Sequence, residues 1–280
     1  MGPPFYRANF RNCSPRSRHI LVLFQALEYE TYIPSDPLKP FIRSFAIQEA
    51  AEEATYKLLP DTGIVIGFQY KGRLFRLDDG NAIALDTSGI SGLSDRRRSF
   101  RNLPGTGTIL VFFKEAGTTP FFRQPLHEIF RESVTLENFM LRSELLCLEE
   151  QLVEARSNPE RIARLEKFLI GRMTGGDPDK LVLAALALIH KSKGNIRIKD
   201  LAQQLHTSQS PLEKRFRAAV GASPKKFASI VRLKGLLQQY PKTGSLTELG
   251  YEAGFYDQAH FIKEFKAFTG DTPENFFRDR

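Results

Sequence analysis

The chain predicts an α+β protein: a small antiparallel β-barrel or sandwich with trailing helices, then an all-α segment that uses one unit twice. Three observations carry this. Short β-type runs broken by Gly, Asp and Asn fill the stretch after Thr55. Helical spacing of leucines takes over from Leu141. The stretch Gly254–Phe277 repeats, imperfectly, Leu205–Phe227. Leu212, Lys214, Phe216, Gly221, Pro224 and Phe227 map onto Phe261, Lys263, Phe265, Gly270, Pro273 and Phe276 at an offset of 49. Ile198, Leu201, Ala202 and Leu205 map onto Leu246, Leu249, Gly250 and Ala253 at 48. The missing residue falls in a turn, where repeats tolerate length changes.

Taken in order, residues 1–30 read as a disordered extension. Their first part carries Arg7, Arg11, Arg16 and Arg18 without an acid, and the apolar run Ile20–Leu27 is short and lacks a small-residue cleavage site. A first domain is expected over 31–174, with its barrel or sandwich over about 45–125. Ile64–Phe68, a turn at Lys71-Gly72 and Arg73–Leu77 predict a hairpin. Ala82–Leu85, Ser99–Leu103 and Thr108–Phe113 are further strands. Leu141, Leu145, Leu148 and Leu152 then form a stripe, open either to a dimer seam or to packing on the chain's own β layer. A second helix is expected from Pro159 to Met173, with Ile162, Leu165, Phe168 and Leu169 on its apolar side. MTGGDP, from Met173 to Pro178, is the break before a second domain at 177–280, whose first helix, Leu181–His190, is apolar most of the way round and expected to be buried.

The repeated unit reads as helix, short turn, helix. Ser208 and Asp257 are expected N-caps, with Pro211 in the first turn of its helix. Gly221 and Gly270 suit left-handed C-caps, and Ser223-Pro224 and Thr272-Pro273 suit a cap followed by proline at the next helix start. A helix–turn–helix needs this: one helix braces and the next offers its outer face to a DNA major groove. Leu212 with Phe216, and Phe261 with Phe265, are inward i, i+4 pairs. They leave Gln209, Ser210, Glu213, Lys214 and Arg217 outward on the first recognition helix. On the second the outward set is Gln258, Ala259, Ile262 and Lys263, with His260 near the groove wall.

LAQQLHTSQSPLEKRFRAAVGASPKKF, VRLKGLLQQ and LTELGYEAGFYDQAHFIKEFKAFTGDTP together resemble the DNA-binding domain of the AraC/XylS transcription regulators, over roughly the last hundred residues. PFFRQPLHEIF followed by VTLENF resembles the end of the small N-terminal sensory domain in one branch of that family. The resemblance implies two helix–turn–helix units joined by one long helix, with both recognition helices in successive major grooves. It also implies a bacterial, cytoplasmic, nucleoid-associated protein, with RNA polymerase, a small-molecule effector and a second copy of the chain as further expected partners. It places base contacts at Ser210, Glu213 and Lys214. Lys donates to guanine O6/N7 and Glu accepts from cytosine N4; Glu213 either does this or pairs with a local cation. Gln258 and Lys263 are expected at base edges, and Ala259 and Ile262 at a thymine methyl. Arg217, Lys225, Lys226 and Lys266 are expected at phosphates. The chain departs from the family at Gly250, where Ala is usual, and at Ala259 and Lys263, where Ser and Arg are usual. These departures leave the base preference of the second unit open.

Charge agrees with a nucleic-acid partner. The net charge is +8, and His190–Arg280 carries 16 Lys and Arg against 9 Asp and Glu, whereas the rest is nearly balanced. Arg96-Arg97-Arg98 reads either as a solvated loop or as a site for an anion or another part of the chain. Two cysteines, Cys13 and Cys147, form neither a disulfide framework nor a zinc cluster, and they lack the spacing of a DNA-alkylation repair protein, the enzyme class that also carries such DNA-binding units. His19, His127, His190, His206 and His260 show no metal-ligand spacing. No nucleophile–base series, carboxylate pair or phosphate loop is present, so neither catalysis nor a cofactor is expected. A regulator that binds no small ligand, its β domain only dimerising or docking a protein, remains the alternative.

Overall fold

Two antiparallel sheets face one another across a cavity, and a helical layer covers the outer face of the larger sheet. The computed structural model describes residues 28–78, 80–239, 250, 254–255 and 257–278. Its strands are β1 (Glu28–Tyr32), β2 (Ile42–Ala50), β3 (Ala54–Leu58), β4 (Val65–Lys71), β5 (Leu74–Asp78), β6 (Asn81–Ala84), β7 (Ser88–Ser91), β8 (Arg98–Asn102), β9 (Thr106–Phe113) and β10 (Ser133–Thr135). The six-stranded sheet runs β1-β2-β9-β4-β7-β10 and the four-stranded sheet β3-β8-β5-β6. The arrangement is a pair of open sheets; among the described residues no closed barrel forms. It starts before the expected residue 45 and ends after 125. Glu28–Glu30, within the stretch expected as an extension, begin β1 on Tyr29↔Gln48 and neighbouring pairs.

The expected hairpin of β4 and β5 does not form. β4 and β5 lie in different sheets. Both edges of β4 are taken, by β9 and β7, so no ladder is left for β5. Gly72, at φ +70°, turns the chain out of the first sheet. The Gln69 side chain then accepts from the Leu74 N–H at 2.6 Å, standing in for a strand partner.

Strand periodicity splits the larger sheet into two chemically different faces. Phe45, Ile47, Ile66, Phe68, Ile109, Val111 and Phe113 bury bulky side chains in the main core. The other face carries Gln48, Val65, Gly67, Gln69, Thr108 and Leu110, and these line the cavity. Tyr56, Leu74 and Phe100 of the small sheet form a separate buried cluster. Two cores instead of one mark the gap between the layers.

Helices α1 (Arg142–Glu154) and α2 (Asn158–Arg172) follow. Leu145, Leu148 and Leu152 are buried, and Ser88 of β7 donates to Glu149 of α1. The leucine stripe is therefore spent on the chain's own sheet; Leu141 lies outside the helix and is exposed. Helices α3 (Lys180–Lys191), α4 (Ile198–Gln204), α5 (Gln209–Val220), α6 (Pro224–Gln239), α7 (Gln258–Thr269) and α8 (Pro273–Arg278) complete the described chain. Contrary to expectation α3 is only half buried: Val182, Ala185, Leu186 and Ile189 face inward while Leu183, Ala184 and Ala187 face solvent. Ala and Leu there serve helix propensity as much as burial. Asp179 caps α3 and also accepts two bonds from Arg215, at 2.6 and 2.7 Å, tying α5 to it.

Candidate nucleic-acid interface

The repeat survives as geometry. In α5, Leu212, Phe216 and Val220 are buried, and the Phe216 ring meets Phe227 edge-on at 5.5 Å. In α7, Phe261, Phe265 and Phe268 are buried, and Phe265 meets Phe276 at 5.4 Å. Gly221 and Gly270 close the two helices at φ +93° and +86°, their N–H groups donating to Arg217 and Lys266 carbonyls. Ser223 and Thr272 accept from the N–H groups of Lys226 and Asn275, so each following helix opens alike. One difference breaks the parallel. Asp257 caps α7, accepting from His260 N–H at 2.7 Å, but Ser208 stands at the start of α5 without a side-chain cap. The bracing helix of the second unit lies outside the described residues apart from Gly250, where a Cβ would sit 3.2 Å from the Phe261 ring. A residue without a side chain at that place suits the close approach of α7.

Gln209, Ser210, Glu213, Lys214 and Arg217 are exposed, and with His127 they border one hollow of about 490 Å³. Gln258, Ala259, Ile262, Lys263 and Lys266 lie exposed on α7. His260 is turned along the flank: its ring lies 5.9 Å from Phe255, and its Nε2 is 3.5 Å from Glu264. Glu264 in turn accepts from Ser229 and Arg232 of α6, which fixes α7 to the long helix. Lys225 is exposed.

Lys226 is differently placed. Its Nζ donates to Asp95 at 2.6 Å and lies 5.5 Å from the centre of the Phe130 ring, so the β part holds this cation. Asp95 is also gripped by Arg131 through two hydrogen bonds, 2.6 and 2.9 Å long. Two residues on, Arg97 pairs with Asp271 at 3.4 Å, and a side chain at Gly270 would run into its guanidinium. Lys234 of α6 pairs with Asp61. The arginine run is thus divided between jobs: Arg97 binds the helical part, Arg98 turns toward the cavity, and Arg96 stays exposed at its rim. The sequence offered one signal for this junction, an acid placed directly before three arginines.

Burial opposes the charges of Asp95 and Asp61 and is the largest single influence on each. The neighbouring cations together outweigh it: Arg131 and Lys226 hold Asp95 down to about 2, and Lys234 and Arg43 hold Asp61 to about 2. Depressed carboxylates contribute fully above their unfolded pKa and lose that contribution as pH falls through the folded one. The stability gap between the native chain and a D61N/D95N variant is therefore expected to be flat above about pH 4 and to close between about pH 4 and 2. Denaturant midpoints across that range check it; a gap closing already near pH 6 would reject these residues as its source.

The cavity between the sheets measures about 180 Å³. Tyr56, Leu58, Leu74 and Phe100 close one side, and Val65, Gly67, Leu110 and Phe112 the other. Arg98 shares the inward side of β8 with Phe100, by strand alternation. Its guanidinium donates to the Gly92 carbonyl at 2.7 Å, while its Nε is buried without a partner. Burial beside Arg76 lowers its pKa to about 10, which leaves it charged at neutral pH. Among the described residues no group of three or more His, Cys, Asp or Glu side chains is arranged to hold a metal ion, and no helix is long and apolar enough to cross a membrane.

Residues 201–279 match a helix-turn-helix domain family, and residues 30–135 match a domain of unknown function (DUF6597). The Msm operon regulatory protein of Streptococcus mutans is 27% identical over 157 residues, which is 54% of this chain and 56% of that protein. The chain thus aligns with just over half the length of that relative. Similar solved structures include ToxT from Vibrio cholerae, with a TM-score of 0.44 and 11% identity over 91% of this chain and 98% of that one. The C-terminal domain of AraT, a response regulator from Geobacillus stearothermophilus, gives 0.35 and 22% over 36% and 87%. The AraC-like transcriptional activator CuxR gives 0.30 and 15% over 76% and 82%. The twice-used unit lies within the matched helix-turn-helix domain and an operon regulator aligns with the chain, so residues 201–279 form a helix-turn-helix domain of the kind the AraC/XylS resemblance implies.

Proposed function

We propose that the protein is a sequence-specific DNA-binding transcription regulator of the bacterial cytoplasm, acting at the nucleoid. In this reading residues 31–174 form the sensing part and 177–280 the DNA-binding part. The observation that carries it is the pair of recognition helices, α5 and α7, each with a buried aromatic face, a left-handed glycine cap and an exposed polar face. Gln209, Ser210, Glu213 and Lys214 of α5 read bases in one major groove, and Gln258, Ala259, Ile262 and Lys263 of α7 read the next, with His260 at the groove wall. Arg217, Lys225 and Lys266 bind phosphate. Lys226 joins them once Asp95 releases it. A small molecule in the β part tunes that release, and RNA polymerase and a second copy of the chain are partners of the bound state. The inter-sheet cavity favours a ligand over a β part that only docks protein.

Selection of bound sequences from a random duplex pool tests the reading. Enrichment of one motif with two blocks about one helical turn apart is expected; salt-sensitive binding without enrichment would overturn it. Lys263→Ala is expected to cost about 1–3 kcal/mol and relax one or two base pairs of that motif. An equal loss on all sequences would reassign Lys263 to a phosphate.

A further inference from the structure

Resting on the regulator reading, we propose that the inter-sheet cavity binds a small organic carboxylic acid, its carboxylate seated on Arg98 and its apolar body between Tyr56, Phe100, Leu74 and Leu110. Three observations converge on this chemistry. First, Arg98 is charged and turned into a mostly apolar cavity; Asp61, paired with Arg43 and Lys234, and Asp86 also border it, but among the described residues no carboxylate lies within ion-pairing distance of Arg98. Its neighbour Arg76 adds a second cation, against which, among the described residues, Glu132 at 3.5 Å and the largely exposed Asp78 at 3.4 Å are set. A desolvated guanidinium whose counter-charge, here Glu132, stands beyond pairing distance is costly, and a bidentate carboxylate is the group that matches its fork. Second, Gln48 is 2% exposed and lines the same cavity between the hydroxyls of Tyr29 and Tyr56; its Oε1 accepts from Tyr29, and its Nε2 makes no close hydrogen bond. That leaves one buried donor for an acceptor on the ligand. Third, the space is built in. The cavity-facing side of the large sheet uses Gly67, Gly89 and Thr108, where the opposite side uses Ile and Phe.

The position of Arg98 gives the ligand a route to DNA binding. The loop just before it, Leu93, Ser94 and Arg96, walls the cavity, and the same loop carries Asp95 on Lys226 and Arg97 on Asp271. A carboxylate drawn onto Arg98 acts one residue from those two contacts.

The experiment is calorimetric titration of the full chain, without DNA, using benzoate, cinnamate and octanoate against their primary amides. Binding of at least one acid is expected, with its amide roughly 10- to 100-fold weaker, since a charge-assisted pair is lost. R98Q should lose that preference, whereas R96Q, at the exposed rim, should keep it. R98K, which retains charge without the fork, should bind the acid weakly, and G67V, which fills the cavity, should bind neither; these two keep the test open if R98Q fails to fold. Acid and amide binding equally, acid binding unchanged in R98Q, or no binding by any of the three acids would overturn the proposal. The readout contains no DNA. A chain that binds the acid but enriches no DNA sequence would fail the regulator reading alone.

Discussion

Phe265→Ala is expected to cost about 3–5 kcal/mol, the range for deleting a fully buried phenylalanine. The ring is 0% exposed and has ring neighbours on three sides: Phe261 at 5.6 Å, Phe276 at 5.4 Å and Phe277 at 5.6 Å. Each such pair adds about 0.5–1.5 kcal/mol beyond area burial. Its repeat equivalent Phe216 is equally buried, with Phe227 at 5.5 Å. Among the described residues it has one ring neighbour where Phe265 has three, so Phe216→Ala is expected toward the low end of the same range. A loss this size is a large part of a typical domain's total stability. Urea unfolding measures both. A cost below about 1 kcal/mol at Phe265 would mean the site collapses around the deletion and the aromatic cluster is not what holds α7.

Asp95→Ala is expected to tighten DNA binding by the full chain by about 5- to 30-fold, or roughly 1–2 kcal/mol of coupling between the two parts. The substitution frees Lys226, so the salt dependence of binding should steepen by about one phosphate contact. Removing any acid weakens repulsion of DNA, so a control is needed. Asp36→Ala makes the same charge change at a side chain that is 90% exposed and pairs only locally, with Lys39; little effect is expected. Asp271→Ala should act in the same direction as Asp95→Ala but less, because Arg97 meets it at 3.4 Å through one contact. Equal affinities for the Asp95→Ala and native chains would show that the junction does not restrain Lys226.

The helical half was legible because its determinants are local. A cap spans three residues, from Asp257 to the N–H of His260. An inward pair spans four, as Phe261 and Phe265 do. A left-handed stop needs one glycine. Such features recur in a repeat at fixed offsets, so Gly221 and Gly270 announced both helix ends. The exposed faces of α5 and α7 followed by subtraction. Ser208 does hold the N-cap position of α5 in extended backbone, but serine there permits a side-chain bond without requiring one, and none forms.

The β half was legible only as strands. Ala82–Leu85, Ser99–Leu103 and Thr108–Phe113 each meet a strand in the structure, β6, β8 and β9, with ends shifted by a residue or two. Partnership was not legible: β4 and β5 look like a hairpin in sequence, but β4 has both edges filled from residues some twenty and forty positions away. β2, buried on both faces, lacked the clean alternation that marks a half-buried strand.

By itself, then, the sequence determined the repeated helix–turn–helix unit, the residues it turns outward and the concentration of positive charge around them, because short-range steric and capping preferences act within a turn of helix. Only the tertiary structure decided which sheet each strand joins, that Arg98 faces an apolar cavity, and that Lys226 is held by Asp95 across 131 residues of chain. Those outcomes depend on the long-range pairing of strands and the packing of layers, and chain order alone does not encode which distant groups are brought together.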